Sequence, residues 1–133
     1  MKVAELMRTD VKTVDIDATV EDAIASLADV HVSALPVTDA RGKIVGVLST
    51  TDILCALSET TDPETRERLL DQTPVRDVMT ARSRVIGPDA DVLEAAKEML
   101  YLDVHRLFVE DEGRLVGVIS QTDIVAAVAT AKI

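Results

Sequence analysis

A short string whose residues could bind a nucleotide occurs twice in this sequence. Gly-x-x-Ser-x-Thr-Asp stands at 46–52 and again at 117–123. In both copies it runs off the end of a predicted strand into the start of a predicted helix, where unpaired backbone N–H groups and the helix dipole favour an anion. Serine and threonine hydroxyls can donate to a phosphate, and an aspartate can accept hydrogen bonds from the vicinal hydroxyls of a ribose.

The same residues have a simpler interpretation, because serine, threonine and aspartate are the commonest caps of helix N-termini. For one isolated copy, capping is the more frequent explanation. Two copies with identical residues at one internal offset favour the ligand, since many other residues would cap a helix equally well. Ser49, Thr51 and Asp52 are therefore the candidate binding residues of the first copy, and Ser120, Thr122 and Asp123 those of the second.

The motifs belong to a longer internal repeat. Residues 3–39 align with 75–111 at an offset of 72, and 42–57 with 113–128 at an offset of 71. Of the 53 aligned pairs 19 are identical, which indicates two copies of one small subdomain. The boundaries predicted from this alignment are repeat 1 at 1–60, a linker helix at 61–74 and repeat 2 at 75–133.

Each repeat predicts the element order β-α-β-β-α, an α/β (α+β) fold. A lead-in of the form Val-x-x-x-Met and a brief strand come first. The first helix opens on a capping signal, Thr19 with Asp22 or Asp91 with Glu94. Two strands follow, joined by a turn that Gly42 or Gly113 closes with positive φ. In the connecting stretch, Asp62 as cap and Pro63 at the first helical position predict a helix through Leu70.

Composition excludes several function classes. The 133 residues carry 14 Lys+Arg against 24 Asp+Glu, a formal net charge of −10, and only one Tyr and one Phe. A nucleic acid would be repelled, and a single Tyr and a single Phe cannot form a platform on which its bases stack. No apolar run reaches the length of a membrane span. The single cysteine and the lack of a secretory leader lead us to expect a cytoplasmic protein.

The chain resembles a tandem pair of cystathionine-β-synthase-type (CBS) domains, a pair known as a Bateman module. The resemblance runs from Val3 to about Val128 and is carried by Val-x-x-x-Met in each lead-in, SALPVTD, HRLFVED, GVLSTTDIL and GVISQTDIV. It implies a three-stranded mixed sheet with two helices per repeat, pseudo-two-fold symmetry and two clefts between the repeats. It further implies that these clefts bind an adenosine-containing ligand such as AMP, ADP, ATP or S-adenosylmethionine.

The resemblance also implies that each cleft joins the motif of one repeat to the first strand and pre-strand residues of the other. The first cleft would combine Ser49, Thr51 and Asp52 with Val85, His105, Arg106 and Leu107. The second would combine Ser120, Thr122 and Asp123 with Thr13, Val32, Ser33 and Leu35. In the second cleft the position equivalent to Arg106 is Ala34, which cannot pair with a phosphate. We therefore expect the first cleft to be the better nucleotide site. The second would be empty or would take a less negatively charged ligand.

Other residues that could do chemistry have plainer interpretations. His31 and His105 lack further ligands at metal-binding spacing, so no metal site is predicted, and His105 is expected to touch phosphate. Cys55 is expected to be a small buried residue rather than a nucleophile. Asp17 and Asp89 are interpreted as caps, and Met7 and Met79 as core anchors.

Together these features favour a regulatory binding module over an enzyme, with no catalytic residue assigned. No P-loop lysine, positioned general base or metal cluster supports a nucleotide hydrolase or transferase. Without an effector domain in the chain, the module would act on an unidentified partner protein or serve as a free-standing sensor. The resemblance implies a homodimer through the helices, and the apolar stripe formed by Leu57, Ala127, Val128 and Ala131 is compatible with it. The alternative is a structural or protein-interaction homodimer whose clefts bind nothing.

Overall fold

The computed structural model describes residues 1–81 and 84–130, and the chain divides into two compact units. Residues 12–83 make one unit, called here the first-repeat unit. The other, the second-repeat unit, joins residues 84–133 to residues 1–11 from the start of the chain. The lead-in that precedes the first repeat in sequence therefore packs with the second repeat, an exchange that the alignment of the repeats did not predict.

Six α-helices and seven strands make up the described chain. In chain order they are α1 Val3–Leu6, β1 Val14–Asp15, α2 Val20–Val30, β2 Ala34–Thr38, β3 Ile44–Ser49, α3 Thr50–Ser58, α4 Pro63–Gln72, β4 Thr80–Ala81, β5 Val85–Ile86, α5 Val92–Leu102, β6 Arg106–Asp111, β7 Arg114–Ser120 and α6 Gln121–Ala129. The predicted β-α-β-β-α order is confirmed in both repeats.

The two sheets share a design but differ in strand number. In each, the first short strand runs parallel to the second, and the second and third form an antiparallel hairpin. The second-repeat unit has the expected three strands, β5-β6-β7, whereas the first-repeat unit has four, β1-β2-β3-β4. The extra strand is the end of the second lead-in, where Thr80 pairs with Val47. At the same edge of the other sheet, Arg8 forms an isolated bridge with Val118.

Glycine permits this close approach of each lead-in to its sheet. A Cβ built on Gly46 would stand 2.6 Å from the Thr80 carbonyl oxygen, and one on Gly117 would stand 2.8 Å from the Arg8 carbonyl oxygen. Met79 and Met7 lie over the same two glycines and pack against the cores of the first- and second-repeat units respectively. The prediction that both methionines are core anchors is confirmed.

Most of the helix caps and turns predicted from the sequence are present in the structure. Thr19 and Asp22 form a reciprocal capping box, and Asp62 caps α4 with Pro63 in its first turn. Asp91 caps α5 as predicted, although its side chain accepts from the backbone of Leu93 and forms no box with Glu94. The turn glycines Gly42 and Gly113 have φ of 80° and 79°.

The roles predicted from the sequence for three residues are wrong. Cys55 is exposed rather than buried, because Ile53, Ala56 and Leu57 occupy the inward face of α3 and Cys55 lies on the opposite side. Asp17 and Asp89 cap no helix; their carboxylates form ion pairs with Arg76 and Lys2 respectively.

Each unit has its own hydrophobic core. Leu35, Val37 and Leu48 lie in the core of the first-repeat unit, and Leu107 and Ile119 in that of the second-repeat unit. The connecting helix α4 contacts α2 and α3, and its Leu70 packs against the core of the first-repeat unit. Within the described ranges, no helix combines the length and apolar character that crossing a bilayer requires.

Candidate functional site

The first motif lies where β3 ends and α3 begins, and its polar groups form a capping box. The Ser49 hydroxyl oxygen accepts from the backbone N–H of Asp52 at 3.1 Å, and Asp52 Oδ2 accepts from the backbone N–H of Ser49 at 2.9 Å. The alternating burial of β3 fixes the register that brings Ser49 to this junction. Thr51, in the first turn of the helix, is exposed. Its hydroxyl can therefore meet a ligand without disturbing the cap.

The second motif repeats this geometry at the junction of β7 and α6. Ser120 Oγ accepts from the backbone N–H of Asp123 at 3.1 Å, and Asp123 Oδ2 accepts from the backbone N–H of Ser120 at 2.9 Å. Thr122 takes the place of Thr51 and is also exposed. The helix-capping interpretation is thus realised in both copies, and in each it uses the serine and one aspartate oxygen.

The remaining aspartate oxygen distinguishes the two motifs. Asp52 Oδ1 accepts from the Thr80 hydroxyl at 3.0 Å. Asp123 Oδ1 instead accepts from Nε of Arg8 at 3.4 Å, in an ion pair. The second motif therefore has a cation beside it, which corrects the premise, drawn from the sequence, that this motif lacks one. Neither Thr80 nor Arg8 was a candidate site residue.

The structure places Ser33, His105 and Arg106 beside the motif of their own unit. Ser33, just before β2, accepts at its carbonyl from the Thr50 N–H at 2.9 Å, and His105, just before β6, accepts likewise from Gln121 at 2.9 Å. Arg106 pairs with Ser120 across the hairpin. The predicted crossed pairing joins each motif to residues of the opposite unit and remains a prediction.

Access differs among these residues. Ser33, Val85, His105 and Arg106 are exposed, and Thr13 and Val32 are half-buried. Leu35 and Leu107 are 1% and 2% exposed, and both lie in the cores of their units. A ligand could therefore reach Leu35 and Leu107 through backbone groups, whereas the other residues can also offer side chains.

The apolar stripe expected on the C-terminal helices is only partly exposed. Ala127 is buried and Leu57 half-buried, while Val128 is 57% exposed; Ala131 lies outside the described residues. Two further apolar side chains at equivalent positions, Leu54 on α3 and Val125 on α6, are each 66% exposed. Leu54, Val125 and Val128 are therefore the large apolar side chains that α3 and α6 expose.

Outside the two motifs, the charged side chains of residues 1–81 and 84–130 form no metal-binding cluster. Across the described parts of the chain, no group of three or more His, Cys, Asp and Glu could hold a metal ion. The hydroxyl and backbone N–H of Thr65 hydrogen-bond to Asp62 and lower the pKa of that carboxyl below its ordinary value near 3.8, with smaller contributions from Arg68 and Arg66. This shift belongs to the cap of α4.

The comparison with protein families identifies the repeat. The CBS domain family matches residues 3–59 and 75–130. The chain is a tandem CBS-domain protein. A CBS domain-containing protein of Dictyostelium discoideum is 31% identical over 126 residues, covering 92% of this chain and 87% of that protein. The resemblance inferred from the motifs is confirmed.

CBS pairs also occur within larger relatives and in solved structures. Inosine-5'-monophosphate dehydrogenase of Methanocaldococcus jannaschii is 34% identical over 124 residues, which is 92% of this CBS pair but only 23% of that enzyme. The chain spans less than half the length of several curated relatives. The crystal structure of CBSX2 in complex with AMP matches with a TM-score of 0.81 and 27% identity, over 99% of this chain and 98% of that one.

Proposed function

We propose that this CBS pair is a regulatory module, without catalytic activity, that binds an adenosine-containing ligand in two crossed clefts. The observation that carries the proposal is the duplicated Ser-x-x-Asp helix start within a CBS pair, with an exposed threonine in each copy. The AMP complex of the similar CBSX2 supports an adenine nucleotide as ligand. AMP, ADP, ATP and S-adenosylmethionine are the compounds to test.

In the proposed mode of binding the motif aspartates hold the ribose. Each carboxylate keeps Oδ2 in its capping box and has Oδ1 on a side-chain partner, Thr80 or Arg8. A ribose hydroxyl can join or replace that partner without breaking the cap. The exposed hydroxyls of Thr51 and Thr122 then donate to the phosphate, and the purine meets aliphatic side chains and backbone groups such as those of Val85 and Val32.

Phosphate recognition in the first cleft is assigned to Arg106, with His105 beside it. Both side chains are exposed, and a guanidinium can bind a phosphate through two parallel hydrogen bonds. We expect Arg106→Ala to weaken nucleotide binding about tenfold or more, as measured by titration calorimetry. Unchanged affinity would remove Arg106 from the site.

Binding would regulate by favouring one arrangement of the module over another. A ligand shifts such an equilibrium only by its difference in affinity for the two states. The exposed Leu54, Val125 and Val128 support a homodimer through α3 and α6, with an effector protein sensing the change. Light scattering at micromolar concentration should give a dimer.

The free thiol of Cys55 suits a reducing compartment, and we propose a cytoplasmic location.

A second function, a protein-interaction homodimer that binds no ligand, is favoured by one observation. The serine and aspartate side chains of both motifs already have partners within their own units. A thermal-shift series with the four ligands separates the two functions, because a ligand at 100 times its Kd stabilises the folded protein by about 2.7 kcal/mol. A flat response to all four would favour the interaction function.

A further inference from the structure

The residue that follows the lead-in methionine contacts the motif aspartate in both units. Arg8 and Thr80 are equivalent positions at the repeat offset of 72, and each bridges to the equivalent strand residue, Val118 or Val47. Each donates a side-chain hydrogen bond to Oδ1 of its motif aspartate, at 3.4 Å from Arg8 Nε and 3.0 Å from Thr80 Oγ1. This position is one of those at which the copies differ, with an arginine in one and a threonine in the other.

The position of Arg8 is fixed by its backbone. Its N–H donates to the Val118 carbonyl at 2.8 Å, and the Val118 N–H donates back to the Arg8 carbonyl at 2.9 Å. Gly117 leaves room for this contact, since a side chain there would meet Met7 and Arg8. Arg8 is thereby held beside Val118, two residues before Ser120 in β7. From this edge of the sheet its side chain reaches Asp123.

The guanidinium of Arg8 is oriented and still open to a ligand. Its side chain is 68% exposed, whereas that of Asp123 is 12% exposed. The hydrogen bond to Asp123 uses Nε, and a guanidinium carries four further N–H donors on its Nη atoms. An anion at the motif can therefore meet a cation that its carboxylate partner already positions.

We infer that Arg8 is the phosphate-selecting residue of the Ser120–Asp123 motif. The inference rests on the proposed function and adds a specificity to it. Asp123 alone would repel a phosphate, but the Arg8–Asp123 pair carries no net formal charge, and Arg8 can bind the phosphate directly. The second motif then takes a phosphate-bearing adenosine ligand such as AMP in preference to uncharged adenosine, contrary to the expectation from the sequence.

The test isolates the second motif and compares two probes there. In an Asp52→Asn background, AMP and adenosine are titrated by calorimetry into protein with Arg8 and into protein with Arg8→Thr, the residue found at the equivalent position. Since Arg8 is largely exposed, we expect the loss of its hydrogen bonds to phosphate to weaken AMP about fivefold to tenfold. Adenosine affinity should stay within about twofold, because the probe lacks the group that Arg8 contacts.

Two further variants control the result. Arg114→Thr removes an exposed arginine at the opposite end of β7 and should change neither affinity. Arg8→Lys keeps the charge and should retain part of the preference for AMP. Far-UV circular dichroism confirms folding; Arg8→Thr keeps both backbone bonds to Val118, so its spectrum should match that of the parent.

The outcomes separate this inference from the proposed function. If the unmodified protein binds neither AMP nor adenosine, the proposed function fails. If it binds them but the Asp52→Asn protein binds neither, the second motif is no site and the inference is overturned. The inference is also overturned if Arg8→Thr lowers the affinities for AMP and adenosine equally, or lowers neither. A loss of affinity for AMP alone supports it.

Discussion

Replacing Gly117 with alanine tests whether the lead-in is anchored to the second-repeat sheet as the structure indicates. The added Cβ would stand 2.7 Å from the Met7 sulfur and 2.8 Å from the Arg8 carbonyl oxygen, against 3.4–4 Å for ordinary contact. The Met7 side chain can move aside at some loss of packing. The Arg8 carbonyl can move only by breaking its ladder bonds with Val118.

The expected cost can be worked from these two contacts. Forcing extra carbon into a filled site costs about 1–3 kcal/mol. Releasing the lead-in instead gives up two backbone hydrogen bonds at about 0.5–1.5 kcal/mol each. Either route is partly offset by the lower unfolded-state entropy of alanine, about 0.4–1 kcal/mol. We therefore expect the free energy of unfolding to fall by about 1–2 kcal/mol.

Urea unfolding followed by far-UV circular dichroism measures this change, since the chain has no tryptophan to report by fluorescence. Gly46→Ala, with contacts of 2.6 Å to the Thr80 carbonyl oxygen and 2.8 Å to the Met79 sulfur, should destabilise likewise. Gly87→Ala is the matched control, because a Cβ there meets nothing within 4 Å.

A double variant shows which contact matters more. Met7→Ala in the Gly117→Ala protein relieves the sulfur contact and leaves the carbonyl contact in place. In the Met7→Ala background, Gly117→Ala should lower the free energy of unfolding by less than it does in the parent protein. Some of the loss should remain, because the contact with the Arg8 carbonyl is still present. Gly117→Ala as stable as Gly87→Ala would refute the close approach of Arg8 to β7.

Two other predictions concern caps. Ser120→Ala should lower the free energy of unfolding of the ligand-free protein by about 1 kcal/mol, because the capping box is lost. Thr122→Ala should change it by no more than about 0.5 kcal/mol. Urea unfolding measures both changes, and equal effects would contradict the assigned roles. Asp62 has a pKa below 3.8, so its cap stabilises the fold above that pH and is lost as the pH falls through the lower, folded-state value. An NMR titration of the Asp62 carboxyl should place the midpoint below 3.8, and Thr65→Val should move it upward; no movement would contradict the role of the hydroxyl.

The sequence predicted best what local chemistry determines. The caps Thr19 and Asp62 and the positive φ of Gly42 and Gly113 depend on residues within a few positions of each other, and all are present in the structure. Asp17 was assigned wrongly because its partner, Arg76, is 59 residues away. A carboxylate before a helix has the same local pattern whether it caps or pairs with a distant cation.

The contacts of Arg8 and Thr80 were missed for a similar reason. Each lies in a short segment without periodicity, and its partner aspartate is distant in sequence, 115 residues away for Arg8. One signal was available in the glycines at the middle of two strands. Gly46 and Gly117 each interrupt an apolar run within a strand, at 44–48 and 115–119, and a glycine there often marks a close approach of another backbone. The repeated Val-x-x-x-Met lead-ins were the segments to place against them.

Titration calorimetry of AMP into the unmodified chain and into the Asp52→Asn, Asp123→Asn double variant tests the central claim most directly. Asparagine keeps an acceptor oxygen for each capping box and removes the charge proposed to hold the ribose. The proposed function predicts saturable AMP binding by the unmodified chain and loss of that binding, with the fold intact, in the double variant. No binding by the unmodified chain, or equal binding by both proteins, would contradict it.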